Sequence, residues 1–100
     1  LAARNYSNRA KARAEAGRWD RALPDLTAAI KHDSRPAMYF RQRGAAYFNL
    51  GQWEAAVADF TAAIERNPKD SSLYELRGKA LQALGKQAEA EADFEKADSP

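Results

Sequence analysis

An all-α solenoid of three stacked antiparallel helix pairs is the fold class that this sequence predicts. Three observations carry it. The chain is self-similar at a spacing of 34 residues: Gly17, Gly51 and Gly85 fall at one position, Ala22, Ala56 and Ala90 at another, and Leu26, Phe60 and Phe94 at a third. Each of those glycines interrupts an apolar pattern of helical period. No segment carries the alternating period of a strand over any length.

The elements follow in order. Glycine adopts the left-handed conformation without Cβ strain, so Gly17, Gly51 and Gly85 each end a helix. A second helix then starts within about two residues, and so short a link forces the pair antiparallel. Phe40, Gly44 and Tyr47 fall at i, i+4 and i+7, one face of a helix. Gly44 lets two backbones approach closely. Ala56 and Ala63 do the same on the following helix, with the bulky Phe60 between them, so large and small residues alternate as close packing requires. Tyr6 and Tyr74 repeat Phe40, and Ala10 and Gly78 repeat Gly44. Asn67-Pro68 stops the fourth helix. Asp70, Ser71 or Ser72 then caps the fifth, Ser72 with Glu75 having capping-box spacing. Six helices are expected, at about 3–16, 19–31, 37–50, 53–66, 71–84 and 87–97. They form one domain over 1–100, with repeats at about 3–36, 37–70 and 71–100.

A chain of 100 residues, 45% hydrophobic and 30% charged, has a globular composition and not a disordered one. It is too short for a deep spherical core. Stacked hairpins need none, because each covers its neighbour. The net charge of +2 points to no partner. Its distribution says more: residues 1–35 carry +4, residues 36–70 none and residues 71–100 carry −2. Such polarity would orient a partner or favour head-to-tail contact between copies, although charges drift along solvated faces in any helical protein. The absence of cysteine excludes disulfides and thiolate metal sites. No apolar run approaches the ~20 residues of a membrane helix, and no signal-peptide pattern is present. The chain begins at Leu1 and not at Met, which reads as a piece of something longer and leaves the compartment open.

The second unit reads Phe40-x2-Arg43-Gly44-x2-Tyr47, then Ala56-x3-Phe60, then Pro68; the third reads Tyr74-x2-Arg77-Gly78-x2-Leu81, then Ala90-x3-Phe94. The first is weaker: Tyr6-x2-Arg9-Ala10-x2-Arg13, then Ala22-x3-Leu26. This pattern resembles the tetratricopeptide repeat, whose signature is W-x2-L-G-x2-Y, A-x3-F and P at a period of 34. The resemblance covers residues 3–98 and implies a right-handed α-solenoid that binds other proteins. It names no ligand, because the family's ligands are diverse.

Several positions depart from the pattern. Arg13 stands where the family has Tyr, and Ser34 where it has Pro. Pro24 falls inside the expected second helix, where Ala58 and Ala92 occupy the equivalent sites. It removes a backbone donor at a cost of ~3 kcal/mol in a helix interior, so a kink or a late start near Asp20 is expected. Arrays of this kind finish with an extra solvating helix. This chain stops at Pro100 with no C-terminal capping helix, so the last helix is expected to expose apolar area that a continuing chain or another copy would cover.

Arg9, Arg43 and Arg77 recur in step with Asp25, Asp59 and Asp93. Strict repetition indicates structure, because a ligand presents different groups to each unit. These side chains are expected to pair and to fix hairpin register more than they add stability.

In the family, first helices line a concave groove. Carried over by position, the groove-facing residues are Arg4, Ser7, Lys11, Ala14 and Glu15, then Met38, Arg41, Ala45, Phe48 and Asn49, then Ser72, Glu75, Lys79, Gln82 and Ala83. Partner contact is expected at Arg4, Lys11, Met38, Arg41, Phe48, Asn49, Glu75, Lys79 and Gln82. Accessible Met38 and Phe48 amid Arg41, Lys11 and Lys79 suit an extended peptide with an apolar anchor and acidic flanks. One family variant clamps a C-terminal carboxylate with Lys and Asn. The matching positions here hold Ser7, Lys11, Gln42, Ser72 and Leu76, and the pattern fails at most of them.

No chemistry emerges. His32 is the only histidine and lies near a helix end, where a cation is mildly favoured. One His and no Cys make no such metal constellation. The serines have no base–nucleophile set, the glycines are not a phosphate loop, and the carboxylates do not converge. A non-catalytic protein-interaction scaffold without cofactor or metal is the reading. The alternatives are nucleic-acid contact through the basic first unit with Tyr6 and Trp19, which lacks a dense Lys/Arg stripe, and self-association through the uncapped end.

Overall fold

The computed structural model describes residues 2–99. It contains α1 (Ala2–Glu15), α2 (Trp19–His32), α3 (Ala37–Asn49), α4 (Trp53–Arg66), α5 (Ser71–Ala83) and α6 (Gln87–Asp98), with no strand among the described residues. Every expected helix is present, with ends within one residue of the expected ones. Leu1 and Pro100, on which the reading of the chain's ends rested, lie outside the described residues.

Each hairpin turns by the same chemistry. Gly17, Gly51 and Gly85 have φ of 79°, 77° and 81°, which a side chain would strain. Their N–H groups donate to Ala14, Phe48 and Gln82, while the next residues, Arg18, Gln52 and Lys86, reach back to the carbonyls of Arg13, Tyr47 and Leu81 at 2.8–2.9 Å. Those two bonds form the Schellman arrangement that satisfies the last carbonyls of a helix. Between hairpins, the fifth helix is capped by Asp70. Its carboxylate accepts from the Ser72 N–H at 3.0 Å and from the Ser72 hydroxyl at 2.6 Å. The Ser72–Glu75 capping box therefore does not form, because the stronger acceptor two residues earlier holds Ser72.

Of the two outcomes expected at Pro24, a kink or a late start, the second is not seen. The second helix starts at Trp19, 34 residues before α4 starts at Trp53, so there is no late start. Pro24 is the sixth helical residue and leaves the Asp20 carbonyl without its i+4 donor. Pro24 and Asp20 are both exposed, and a helix carbonyl without its intrahelical donor is served by solvent at such a surface.

Within each hairpin the helices cross where a small residue faces a large one. A Cβ built on Gly44 would lie 2.7 Å from the Phe60 ring, and one on Gly78 would lie 2.6 Å from the Phe94 ring. The first hairpin solves the same problem with Ala10 and the smaller Leu26, both buried. Phe60 and Leu26 are among the largest fully buried side chains, and burying each contributes about 1.5–3 kcal/mol. Phe40, Ala63, Ile64, Leu73 and Tyr74 join the second hairpin to the third.

The last helix does not carry the expected apolar outer face. Among the described residues the exposed large hydrophobics are Met38 and Leu50. The outer face of α6 shows Ala88 and Ala92 amid Glu89, Glu91 and Glu95, and Phe94 is half-buried against Gly78. Alanines and carboxylates need little cover.

Urea denaturation of four variants tests the helix crossing and the proline. Gly44→Ala should destabilise by about 1–3 kcal/mol, because the enclosed Phe60 cannot move aside. Gly78→Ala should cost less, and Gly44→Ala/Phe60→Leu, which copies the first hairpin, should recover part of the loss. Pro24→Ala should stabilise by about 1–2 kcal/mol, the restored helical bond outweighing the unfolded-state entropy that proline removes.

Candidate functional site

The structure divides the charged side chains into those that are held and those that are free. Arg43 donates from Nε and Nη2 to Asp59 at 2.8 and 2.9 Å, and Arg77 to Asp93 at 2.8 Å through both nitrogens. Arg9 reaches Asp25 at 2.6 Å. Each pair joins the two helices of one hairpin around a buried carboxylate. The remaining nitrogen of Arg43 donates to Thr27 of the preceding hairpin at 3.3 Å, and Arg77 does the same to Thr61. The hydrogen bond that each guanidinium donates to its carboxylate raises the pKa of Arg43 and of Arg77 above the ordinary arginine value, against the opposing effect of burial. The recurrent Arg and Asp are thus structural, as their repetition indicates.

Arg13, which departs from the repeat pattern, also has its explanation here. It donates to Asp25 at 2.9 Å and approaches the Arg21 carbonyl at 3.4 Å. The first hairpin therefore holds its carboxylate with two guanidiniums. His32 and Arg66 share one repeat position and one task, His32 stacking on Tyr6 at 5.6 Å and Arg66 lying 4.1 Å over Phe40. Arg66 also donates to the Ser34 carbonyl at 2.7 Å, joining the end of α4 to the segment that follows α2.

Two cations without an ion pair, Lys11 and Arg41, stand together elsewhere. A cleft of about 490 Å³ opens between α1, α2 and α3. Its floor and walls are apolar: Ala10, Ala14, Trp19, Ala22, Leu26, Ala45 and Ala46. At its rim stand Lys11, Glu15, Met38 and Arg41. Met38 is 55% exposed, the most exposed large apolar side chain among the described residues. Neither Lys11 nor Arg41 forms an ion pair among the described residues. Gln42 completes one wall. Its Oε1 accepts from the buried Ser7 hydroxyl at 2.7 Å, tying α3 to α1.

Three of the residues expected to meet a partner, Lys11, Met38 and Arg41, are therefore brought together. The others are not. Arg4 lies in a separate depression with His32, Asp33, Arg35 and Tyr39. Asn49 is occupied at its helix end, donating to the Ala45 carbonyl at 2.8 Å. Glu75 and Lys79 pair with each other at 3.5 Å on α5, and Gln82 is exposed one turn beyond. Phe48 is less accessible than expected. It is half-buried, edge-on to Trp53 with ring centroids 5.0 Å apart, and it packs on Ala56, Phe60 and Ala80. Ser7 is likewise buried and not groove-facing. Sequence reading missed Trp19 and Gln42 as walls of the cleft. The signal was there, because Ala14 stands 34 residues before Phe48, small where the next unit is large.

Comparison with known proteins agrees with this architecture. Three sequence profiles, each described as a tetratricopeptide repeat, match residues 7–50, 37–70 and 60–92. The chain belongs to the tetratricopeptide repeat family. Among solved structures it resembles the second TPR of Spaghetti (RPAP3) bound to the HSP90 peptide SRMEEVD, at 31% identity and TM-score 0.93, covering 97% of this chain and 90% of that one. It also resembles the Arabidopsis OM64 TPR domain, at 31% identity and TM-score 0.93, covering 96% and 79%. The second TPR domain of human RPAP3 in complex with the HSP70 peptide SGPTIEEVD matches at 32% identity and TM-score 0.89, covering 92% and 77%. No curated protein sequence matches the chain. Among the described residues no helix is long and apolar enough to cross a membrane, and no group of His, Cys, Asp or Glu is placed to hold a metal.

The buried pairs are open to test. Asp59→Ala strands Arg43, whose side chain is 21% exposed, and should cost about 2 kcal/mol, less than a fully buried pair because water reaches the guanidinium. Asp25→Ala should cost less, since Arg9 and Arg13 are 55% and 38% exposed and hydrate freely. Chemical denaturation of the two variants compares them directly.

Proposed function

We propose that this tetratricopeptide array is a non-catalytic protein-interaction module, acting as one domain of repeats 3–36, 37–70 and 71–100, and that its first concave cleft takes a peptide segment of a partner protein. The observation that carries the reading is the apolar cleft rimmed by the unpaired cations Lys11 and Arg41 beside the exposed Met38. An apolar pocket with a few placed polar groups is the form of a binding site, and the free cations favour an acidic segment. The similar RPAP3 domains hold peptides ending in EEVD, which supports an acidic peptide as ligand class.

The mode of capture differs from a terminal carboxylate clamp. Of the five positions, Lys11 alone supplies a cation. Ser7 is spent on Gln42, Ser72 on Asp70, and Leu76 packs in the apolar core. An internal acidic stretch is therefore read as well as a chain end. The wider contacts expected at Arg4, Phe48, Asn49, Glu75, Lys79 and Gln82 are secondary to the cleft on this reading.

The test is selection of a random displayed-peptide library on the intact protein, followed by NMR mapping of the selected sequences. Binders should be enriched in Asp, Glu and apolar residues, should shift amides of α1 and α3, and should weaken at least tenfold with Met38→Glu/Arg41→Glu at unchanged Tm. Shifts confined to the convex helices, or indifference to that variant, would sink the groove. Steep salt-dependent binding to mixed-sequence RNA in place of peptides would favour the nucleic-acid reading.

A further inference from the structure

The cleft exists because of two substitutions between one repeat and the next. In the second hairpin Phe48 lies edge-on to Trp53, 5.0 Å between centroids, over Ala56 and Phe60, and Leu76 of the neighbouring α5 packs on the same cluster. Thirty-four residues earlier the same seam is built from Trp19, Ala22 and Leu26. There Ala14 replaces Phe48, and Gln42 replaces Leu76. The tryptophan and the alanine floor remain, but the ring that covers them in the second hairpin is missing. The chain thus displays in its second hairpin the kind of group that fits its first.

We infer that the cleft is a subsite for one aromatic side chain of the bound peptide, which lies edge-on to Trp19 as Phe48 lies on Trp53. The inference rests on the groove reading and narrows it. Edge-to-face aromatic contact is the favoured geometry and adds to plain area burial. A single buried aromatic anchor is the usual source of binding energy at such an interface. The rim fixes its neighbours. Lys11 on α1 and Arg41 on α3 are unpaired among the described residues and stand on opposite walls. Glu15 stands with Lys11 on α1, so the stronger attraction for acidic side chains lies on the Arg41 side. Gln42 adds a polar contact. Its Oε1 is fixed by Ser7, and its Nε2 has no partner among the described residues and is not buried, which leaves a donor for a peptide carbonyl. The occupant is an aromatic residue in an acidic context, held by ring packing at the floor and charge at the rim.

The experiment uses blocked peptides that are identical except at one position, which carries phenylalanine, leucine or alanine between flanking glutamates. Binding is followed on the two indole N–H resonances, with Trp53 as the internal reference. The phenylalanine peptide should bind at least tenfold more tightly than the alanine peptide and move the Trp19 signal while leaving that of Trp53. Ala14→Phe builds the missing ring into the chain. It should abolish the preference and raise Tm by a few degrees, because it fills the volume from within. Ala14→Leu, a smaller filling, guards against misfolding and should weaken the phenylalanine peptide by an intermediate factor. Peptides that bind at α1 and α3 with equal affinity for the three residues, or whose affinity survives Ala14→Phe, would overturn the aromatic subsite and leave the groove standing. Absence of any shift in α1 and α3 with these peptides and with the displayed library would overturn both.

Discussion

The separation of two crossing helices governs this fold. A hairpin closes only if one small residue faces one large one at the crossing, and the three hairpins meet that condition in two ways. Gly44 under Phe60 and Gly78 under Phe94 place a ring where a Cβ would have been. Ala10 under Leu26 keeps the Cβ and gives up the ring. With that distance set, each carboxylate on the second helix of a hairpin lies within reach of the arginine on the first. The same distance exposes each hairpin's apolar flank to its neighbour at one spacing, and the array continues by repetition.

The Arg–Asp pairs refine this frame and do not create it. Their carboxylates are buried, and each is satisfied by a guanidinium that bridges to a threonine of the preceding hairpin in the second and third units. A pair so placed adds little net stability over an apolar substitute, and it penalises any slip between helices heavily. Register and stacking are thus written into one side chain, the arginine, which reads its own hairpin with two nitrogens and its neighbour with the third.

Much of this was legible along the sequence, and the limits have physical reasons. Helix ends were readable because Gly51 and Pro68 act through their own backbone, with no help from distant residues. The Arg–Asp pairs were readable because three copies at fixed spacing admit one geometry. The choice of Asp70 over Ser72 as cap was a contest between neighbouring acceptors, which spacing alone does not decide. Pro24 misled because the cost of proline depends on whether water reaches the orphaned carbonyl, a property of the folded surface. The cleft was hardest, since it arises from missing volume shared by α1, α2 and α3. Phe48 was assigned to the groove by its position, and position could not reveal that Trp53 already held it.

The hydrogen bond between Ser7 and Gln42 has a thermodynamic meaning for whatever occupies the cleft. It is the one side-chain hydrogen bond between α1 and α3 among the described residues, and its hydroxyl end is buried. Folding therefore immobilises Gln42 and the spacing of the walls before any ligand arrives. A flexible glutamine would have to surrender its rotamers on association, at about 0.5–1.5 kcal/mol per immobilised side chain. Here that entropy is lost when the chain folds. On the proposed reading, a partner meets walls whose spacing folding has already set.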